Sequence, residues 1–290
     1  MRVGFVGLGS MGGNQARLLA EASFDLMVYD VFPEALQAFA GKAKLADSLA
    51  SVGRHAEIVG VCVRDDQQVR EVLEGDGGLL ANMAAGSVVL IHSTIRPATV
   101  VDLAEQGCRR VISVIDAPVT RTVIQAGEPF VFTMTGGDEQ ITERVRPVLE
   151  VFSTDIIHVG ELGSGMVLKI CNNLVTWVEL LIARQAFTLA TAGGVAMEKL
   201  ATVMKRNGAL TPSMAGMVGA ATHFPGSNEQ RRAFLDSQGR IGEKDLELAI
   251  ELAAGLSVPV PTATHAREFV RRAMVGNLLG SSHSRVGVLA

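Results

Sequence analysis

Near its start the chain reads VGFVGLGSMGGNQARLLAEA, residues 3–22, and nothing else in it limits the fold so tightly. A short apolar strand stops at a G-x-G-x-x-G turn and restarts at once with helical spacing, Ala16, Leu19 and Ala20 sharing one stripe. That order of parts opens a doubly wound parallel sheet. Gly7 permits the tight turn, Gly9 lets a pyrophosphate approach the backbone, and Gly12 lets the helix pack close to the strand. Leu8, Ser10 and Met11 complete the turn, and the helix start offers unpaired N–H donors and partial positive charge to phosphates. The next strand, FDLMVYD, ends in Asp30. A carboxylate there binds both hydroxyls of an adenosine ribose and repels a 2′-phosphate. Val31 and Phe32 supply no arginine to reverse that preference, so NAD is expected over NADP. The plain alternative is a structural turn followed by a surface aspartate.

Strand and helix patterns then alternate as far as DIIHVG. AEIVGVCV, GSVVLIHS, RVISVIDAP and PFVFTMTGG read as strands, with PEALQAFA, DQQVREVL, PATVVDLAEQG and EQITERVRPVLEVF as helices between them. Val63, which ends AEIVGVCV, is counted with the cofactor-binding residues. Past residue 160 the strands fade. GMVLKICNNLVTWVELLIARQAFTLATAGG reads as one long helix, apolar nearly all round and so expected to be buried between domains or subunits. MEKLATVMKRNG, EKDLELAIELAAGL and TATHAREFVRRAMVGN read as further helices. The expected fold is α/β: a doubly wound Rossmann domain over 1–160, then an all-α domain over 161–290, joined by the long helix.

The long helix raises the chemical question. In GSGMVLKICNNLVTW, Lys169, Asn172, Asn173 and Thr176 stand at i, i+3, i+4 and i+7, and no acidic residue lies within a turn of the lysine along the chain. A desolvated lysine gives up its proton more readily, and a nicotinamide ring carrying positive charge would favour this further. Such an amine can take the proton of an alcohol while hydride leaves, and return it in reverse. The amide of Asn173 can hold the reacting oxygen or a carboxylate without adding charge. The alternative is a lysine that snorkels to the surface.

Several other chemistries are excluded by counting. The only tyrosine is Tyr29, on the ribose-binding strand, which closes a tyrosine–lysine mechanism. Cys62, Cys108 and Cys171 are too scattered for a zinc site and read as reduced, mostly buried thiols of a cytoplasmic protein. His92, His158, His223 and His265 stay open as acid/base groups, although packed or surface histidines are the plainer reading. A net charge of −4 with no basic block argues against nucleic acid and anionic membranes. The apolar run LVTWVELLIA is interrupted by Glu179 and read as too short to span a bilayer. The opening strand MRVGFVG is read as leaving no room for a leader segment, and none is expected.

These residues together resemble the β-hydroxyacid dehydrogenases, the group of 3-hydroxyisobutyrate dehydrogenase and tartronate semialdehyde reductase, nearly from end to end. GFVGLGSMGGNQARLLAEA looks like the family's cofactor signature. HSTIRP looks like its D-x-S-T-I-x-P loop, which implies that Ser93 and Thr94 contact the cofactor. DAPVTRTVIQAG stands where the family has its substrate loop, GSGMVLKICNN resembles the catalytic G-x-G-x-x-x-K-x-x-N-N, and EKDLELA resembles K-D-L-x-L-A. The resemblance implies Lys169 as general acid/base, Asn173 as substrate binder, Lys244 as a cofactor-side residue, and a homodimer or homotetramer. Related 6-phosphogluconate enzymes carry histidine where this chain has Asn172, and imine reductases replace the lysine retained here. The expected reaction is therefore NAD-dependent interconversion of a short 3-hydroxy acid and its semialdehyde, with a small anionic hydroxy acid or aldehyde as partner. The rival outside enzymology is a non-catalytic dinucleotide sensor.

The substrate loop departs from the family. Its Ser-Gly-Gly is Thr120-Arg121-Thr122 here, and its Gly-Thr is Pro129-Phe130. Thr120 keeps the hydroxyl, while Arg121 adds a guanidinium able to grip a second anionic group with two hydrogen bonds. That suggests a dianionic or sulfonated aldehyde as the alternative substrate class. In the competing reading Arg121 faces outward and only holds the loop.

Overall fold

The computed structural model of the chain describes residues 1–122, 129–216 and 227–276. Nine strands form one sheet: β1 Arg2–Val6, β2 Asp25–Tyr29, β3 Lys44–Leu45, β4 Ile58–Val61, β5 Val88–Ile91, β6 Ser113–Asp116, β7 Val119–Arg121, β8 Val131–Gly136 and β9 Ser153–Gly160. They lie in the order β3-β2-β1-β4-β5-β6-β8-β7, with β9 paired to β8. The first six are parallel and follow the doubly wound order 3-2-1-4-5-6. β8 runs antiparallel to β6 and β7 and parallel to β9.

Both faces of the parallel part are buried, which is why its strands read as continuous apolar runs. Val3, Phe5, Val88 and Leu90 point into one core, and Val6, Val59, Val89 and Ile91 into the other. Met166, from the first turn of the long helix, joins the second core. The short β3 and the helices Leu49–His55 and Leu79–Asn82 are additions to the elements read from sequence. The stretch read as a loop carries β7, whose Thr120 pairs with Phe132 and Arg121 with Val131.

The chain divides into two compact units, Met1–Lys169 and a second beginning at Ile170. The division falls inside the long helix, Ser164–Ala192. The second unit contains the rest of that helix and the helices Met197–Arg206, Asn228–Gly255 and Pro261–Val275. Its core gathers Trp177 and Leu181 with Leu246, Ala266 and Val270.

Several sequence expectations need correction here. The helix around EKDLELA begins at Asn228, 15 residues before Glu243, where Ser227 and Gln230 form a reciprocal capping box. Gly239 and Gly242 lie inside it as weak helix formers. Each is held by packing: a Cβ at Gly242 would lie 2.7 Å from Val270 and 2.8 Å from Trp177, and one at Gly239 2.9 Å from the Arg271 backbone. The long helix has 29 residues and is long and apolar enough to cross a membrane by length and composition, contrary to the reading of its central run. Its buried side nonetheless packs into the second unit's core through Trp177 and Leu181. On its other side, within the single chain, Val175, Ile182 and Leu189 are 56%, 57% and 76% exposed. Among the cysteines, Cys108 and Cys171 are exposed and Cys62 is half-buried.

Candidate active site

Within the first unit the glycine turn has the shape that a dinucleotide requires. Gly7 adopts φ +92°, and a Cβ there would lie 2.3 Å from the carbonyl oxygen of Cys62. A Cβ on Gly12 would lie 2.1 Å from the Gly7 oxygen, so the helix can sit this close only on a glycine. Gly9 faces open space on its side-chain side. The helix Gly12–Glu21 starts with no side-chain cap, and its positive end lies at the glycine turn, with Gly13 N–H donating to Gly9 O at 2.7 Å. At the end of β2, the Asp30 carboxylate accepts from Leu8 N–H at 2.6 Å and from Phe32 N–H at 2.9 Å. Each carboxylate oxygen keeps a lone pair for a ribose hydroxyl. The residues therefore fit a dinucleotide.

Neighbouring strand ends extend this edge. Ser93, buried after β5, accepts the Val63 N–H through Oγ at 2.8 Å and so ties the loops after β4 and β5 together. Thr94 follows it, half-buried. Thr120 is half-buried and Arg121 exposed on β7, and Thr122 N–H donates to Phe130 O at 2.9 Å. The Thr122 hydroxyl oxygen is buried with no hydrogen-bond partner. The rest of the loop read as substrate-binding, 123–128, lies outside the described residues, as does His223.

The polar stripe of the long helix divides in two. Lys169 and Asn173 are buried, at 7% and 9% exposure, whereas Asn172 is exposed and the Thr176 hydroxyl bonds back to the Asn172 carbonyl. Lys169 reaches the neighbourhood of Cys62, beside the glycine turn. Burial pushes that thiol up to about 12, while the Gly12 N–H and the charge of Lys169 pull it the other way. The Cys62 thiol therefore stays protonated at neutral pH.

Two carboxylates absent from the sequence reading organise the helix. Asp116, fully buried at the end of β6, accepts from Gly163 N–H and Met166 N–H, each at 2.8 Å. Burial pushes its carboxyl up, against the pull of these N–H groups and that of Gly165. In the second unit, Asp245 Oδ2 accepts from Asn173 Nδ2 at 2.7 Å and from Trp177 Nε1 at 3.0 Å. A carboxylate only accepts, so the nitrogen end of the Asn173 amide must face it and Oδ1 turns away. Lys244 Nζ lies 2.9 Å from the other oxygen of Asp245, an ion pair without hydrogen-bond geometry. The sequence clue to Asp245 was its place beside Lys244 in EKDLELA. For Asp116 it was the strand-end DAP.

The histidines are otherwise engaged. His92 is buried between Phe5 and Phe152, and its Nδ1 lies 2.8 Å from Ala117 O. That acceptor puts the proton on Nδ1 and leaves Nε2 as a buried, unpartnered acceptor. Burial depresses its pKa to about 4. His158 Nε2 contacts Gly137 O at 2.8 Å, and His265 packs on Phe269. Among the described residues no three His, Cys, Asp or Glu side chains are grouped to hold a metal ion.

A doubly wound sheet whose first turn is shaped for a pyrophosphate, followed by a helical unit, is the architecture of a nicotinamide-dinucleotide oxidoreductase. Residues 2–160 match the model of the NAD-binding domain of 6-phosphogluconate dehydrogenase. Residues 163–286 match the NAD-binding domain of NADP-dependent 3-hydroxyisobutyrate dehydrogenase. The chain belongs to the β-hydroxyacid dehydrogenase family. It is 32% identical to a 3-hydroxyisobutyrate dehydrogenase of Pseudomonas aeruginosa, over 91% of this chain and 89% of that one. It is 30% identical to an NAD-dependent L-serine dehydrogenase of the same organism, over 93% and 91%. The solved 3-hydroxyisobutyrate dehydrogenase of Salmonella typhimurium superposes with a TM-score of 0.81 at 26% identity, over 94% and 93% of the two chains.

The state of His92 has a measurable consequence. Its folded pKa lies below the unfolded value, so the unfolded chain binds the extra proton first, and stability is lost as pH falls from about 6.5 towards 4. Between pH 7 and pH 5 this group should remove about 2 kcal/mol from the unfolding free energy. Urea unfolding of wild type and His92→Asn, whose amide can still donate to Ala117 O, should show that extra acid sensitivity in wild type alone. Equal slopes would mean that His92 is charged or solvated in the fold.

Proposed function

We propose that the protein is an NAD-dependent dehydrogenase that interconverts a short 3-hydroxy acid and its semialdehyde, with Lys169 as the general acid/base. The observation that carries this reading is the buried pair on one helix, Lys169 and, one turn on, an Asn173 amide oriented by Asp245. When bound, the dinucleotide supplies the hydride acceptor. Lys169 Nζ takes the proton of the substrate hydroxyl in oxidation and returns it to the carbonyl oxygen in reduction. Asn173 Oδ1, fixed away from Asp245, accepts a hydrogen bond from the hydroxyl and holds it beside the amine. Thr120 offers a hydroxyl to the substrate carboxylate, with Thr122 beside it on the same segment. The names of the two Pseudomonas aeruginosa relatives support the substrate class, since 3-hydroxyisobutyrate and L-serine each carry both a hydroxyl and a carboxylate.

The preference for NAD rests on Asp30 and its neighbours. The side chains that follow it, Val31 and Phe32, are exposed and apolar, so none neutralises a 2′-phosphate there. Arg121 supports a narrower reading. Its side chain is exposed at the end of β7, next to Thr120, where it is able to pair with a second anionic group on the substrate. A dianionic or sulfonated aldehyde fits that chemistry.

Replacing Lys169 by Ala should lower turnover roughly 10²-fold or more while NAD still binds. Undiminished turnover would remove the lysine from the mechanism, and a wild type with no turnover on any hydroxy acid would favour a sensor. Asp30→Ser keeps an acceptor for Leu8 N–H but removes the charge. The ratio of kcat/KM for NAD over NADP should fall by about tenfold or more, equivalent to ~1.4 kcal/mol; an unaltered ratio would assign discrimination elsewhere. For Arg121→Ala, kcat/KM on a panel of mono- and dianionic hydroxy acids should drop selectively for the dianions, and a uniform drop would show that Arg121 reads no second anion.

A further inference from the structure

Asp116 is the one fully buried carboxylate among the described residues, and the mechanism above does not use it. It closes β6 and sits in a cradle of backbone. Gly163 N and Met166 N each donate to it at 2.8 Å, one to Oδ1 and the other to Oδ2. Two glycines press close on it. A Cβ on Gly136 would lie 2.5 Å from Oδ1, and one on Gly165 would lie 2.8 Å from Oδ2. Glycine at both places lets the backbone come close enough to enclose the carboxylate. Its charge also faces the positive end of the long helix.

Two segments leave this point. The chain that continues from Asp116 reaches Thr120 and Arg121 within five residues, after pinning Ala117 N to Ile91 O and Met134 N to Pro118 O. The helix that the carboxylate grips reaches Lys169 one turn after Met166. The same carboxylate therefore fixes the start of the strand bearing Thr120 and the register and direction of the helix bearing Lys169. A helix start held by both oxygens of one carboxylate has little freedom to rotate or slide. A shift of that start carries Lys169 with it, and misplacement of a catalytic group by about 1 Å can cost on the order of 10²-fold in rate.

We propose that Asp116 is a positioning residue for the reaction: its buried carboxylate clamps the first turn of the long helix and so sets the Lys169 amine against the Thr120–Arg121 strand. The inference rests on Lys169 acting as the general acid/base. It differs from a merely stabilising cap in its consequence, because an effect exerted through Lys169 disappears when Lys169 is gone.

A double-mutant cycle reads this directly. Asp116→Asn swaps one acceptor oxygen of the clamp for an amide that donates towards N–H groups. Wild type, Asp116→Asn, Lys169→Ala and the double variant are assayed with racemic 3-hydroxyisobutyrate and NAD, alongside NAD affinity by titration and Tm. Asp116→Asn should lower kcat by ~10- to 100-fold, with KM and NAD affinity changed less than about threefold. In the Lys169→Ala background it should cost less than about twofold further. An equal loss in both backgrounds, or a loss matched by a fall in NAD-binding capacity, overturns the positioning role and leaves Asp116 as a fold-stabilising cap. If Lys169→Ala itself keeps full turnover, it is the lysine mechanism that fails, and that result is distinct. Gly165→Ala, which pushes a methyl onto Oδ2, tests the clamp from the helix side in the same cycle. If neither Asp116→Asn nor Gly165→Ala folds, the carboxylate serves folding and the proposal falls.

Discussion

In a parallel sheet every strand leaves on the same edge, and this protein's chemistry hangs from that constraint. Right-handed crossovers return each strand in the same direction, so β1, β2, β4, β5 and β6 all end on one side. Gly7, Asp30, Cys62, Ser93 and Asp116 follow in turn along that edge. Gly7 and Cys62 bond to the last residues of the neighbouring strands, Tyr29 and Val6, while Asp30, Ser93 and Asp116 take donors from beyond the strands. Leu8 N–H reaches Asp30, Val63 N–H reaches Ser93, and Gly163 N–H reaches Asp116. The edge is thus stitched laterally by backbone donors.

What could be read from the sequence was what depends on local geometry. The glycine turn was legible because each glycine answers to a nearby backbone constraint, and the order of parts around it is short. The long helix was legible from its spacing, and its end near Gly193 agrees with the helix closing at Ala192. The clamps were not legible. Asp116 acts on residues 47 and 50 positions away, and Asp245 on residues 68 and 72 positions away, so no local pattern could assign their partners. The helix from Asn228 was read short because Gly239 and Gly242 weaken the local propensity, while their cause is a close approach to another helix. The stripe of Lys169, Asn172, Asn173 and Thr176 was correct as spacing but too wide as a face. Of its members only Lys169 and Asn173 are buried.

The two buried carboxylates divide the work on one helix. Asp116 meets backbone donors and governs where the helix begins. Asp245 meets side-chain donors and governs how an amide on that helix is turned. Both trade desolvation for charge-assisted hydrogen bonds, and Asp245 in addition faces the Lys244 ammonium. The histidine at the same sheet edge shows the opposite solution. His92 remains neutral between two aromatic rings, leaving one ring nitrogen with no partner at all.

Trp177 is the only tryptophan in the chain. Its indole N–H shares one carboxylate oxygen with the Asn173 amide, so a single chromophore sits beside a fixed negative charge one bond from a proposed substrate-binding group. An indole's emission colour follows the field across its ring. Nature has thereby left an optical probe on Asp245: any event that alters this carboxylate's charge or hydrogen bonds will shift the protein's ultraviolet fluorescence, with no label attached.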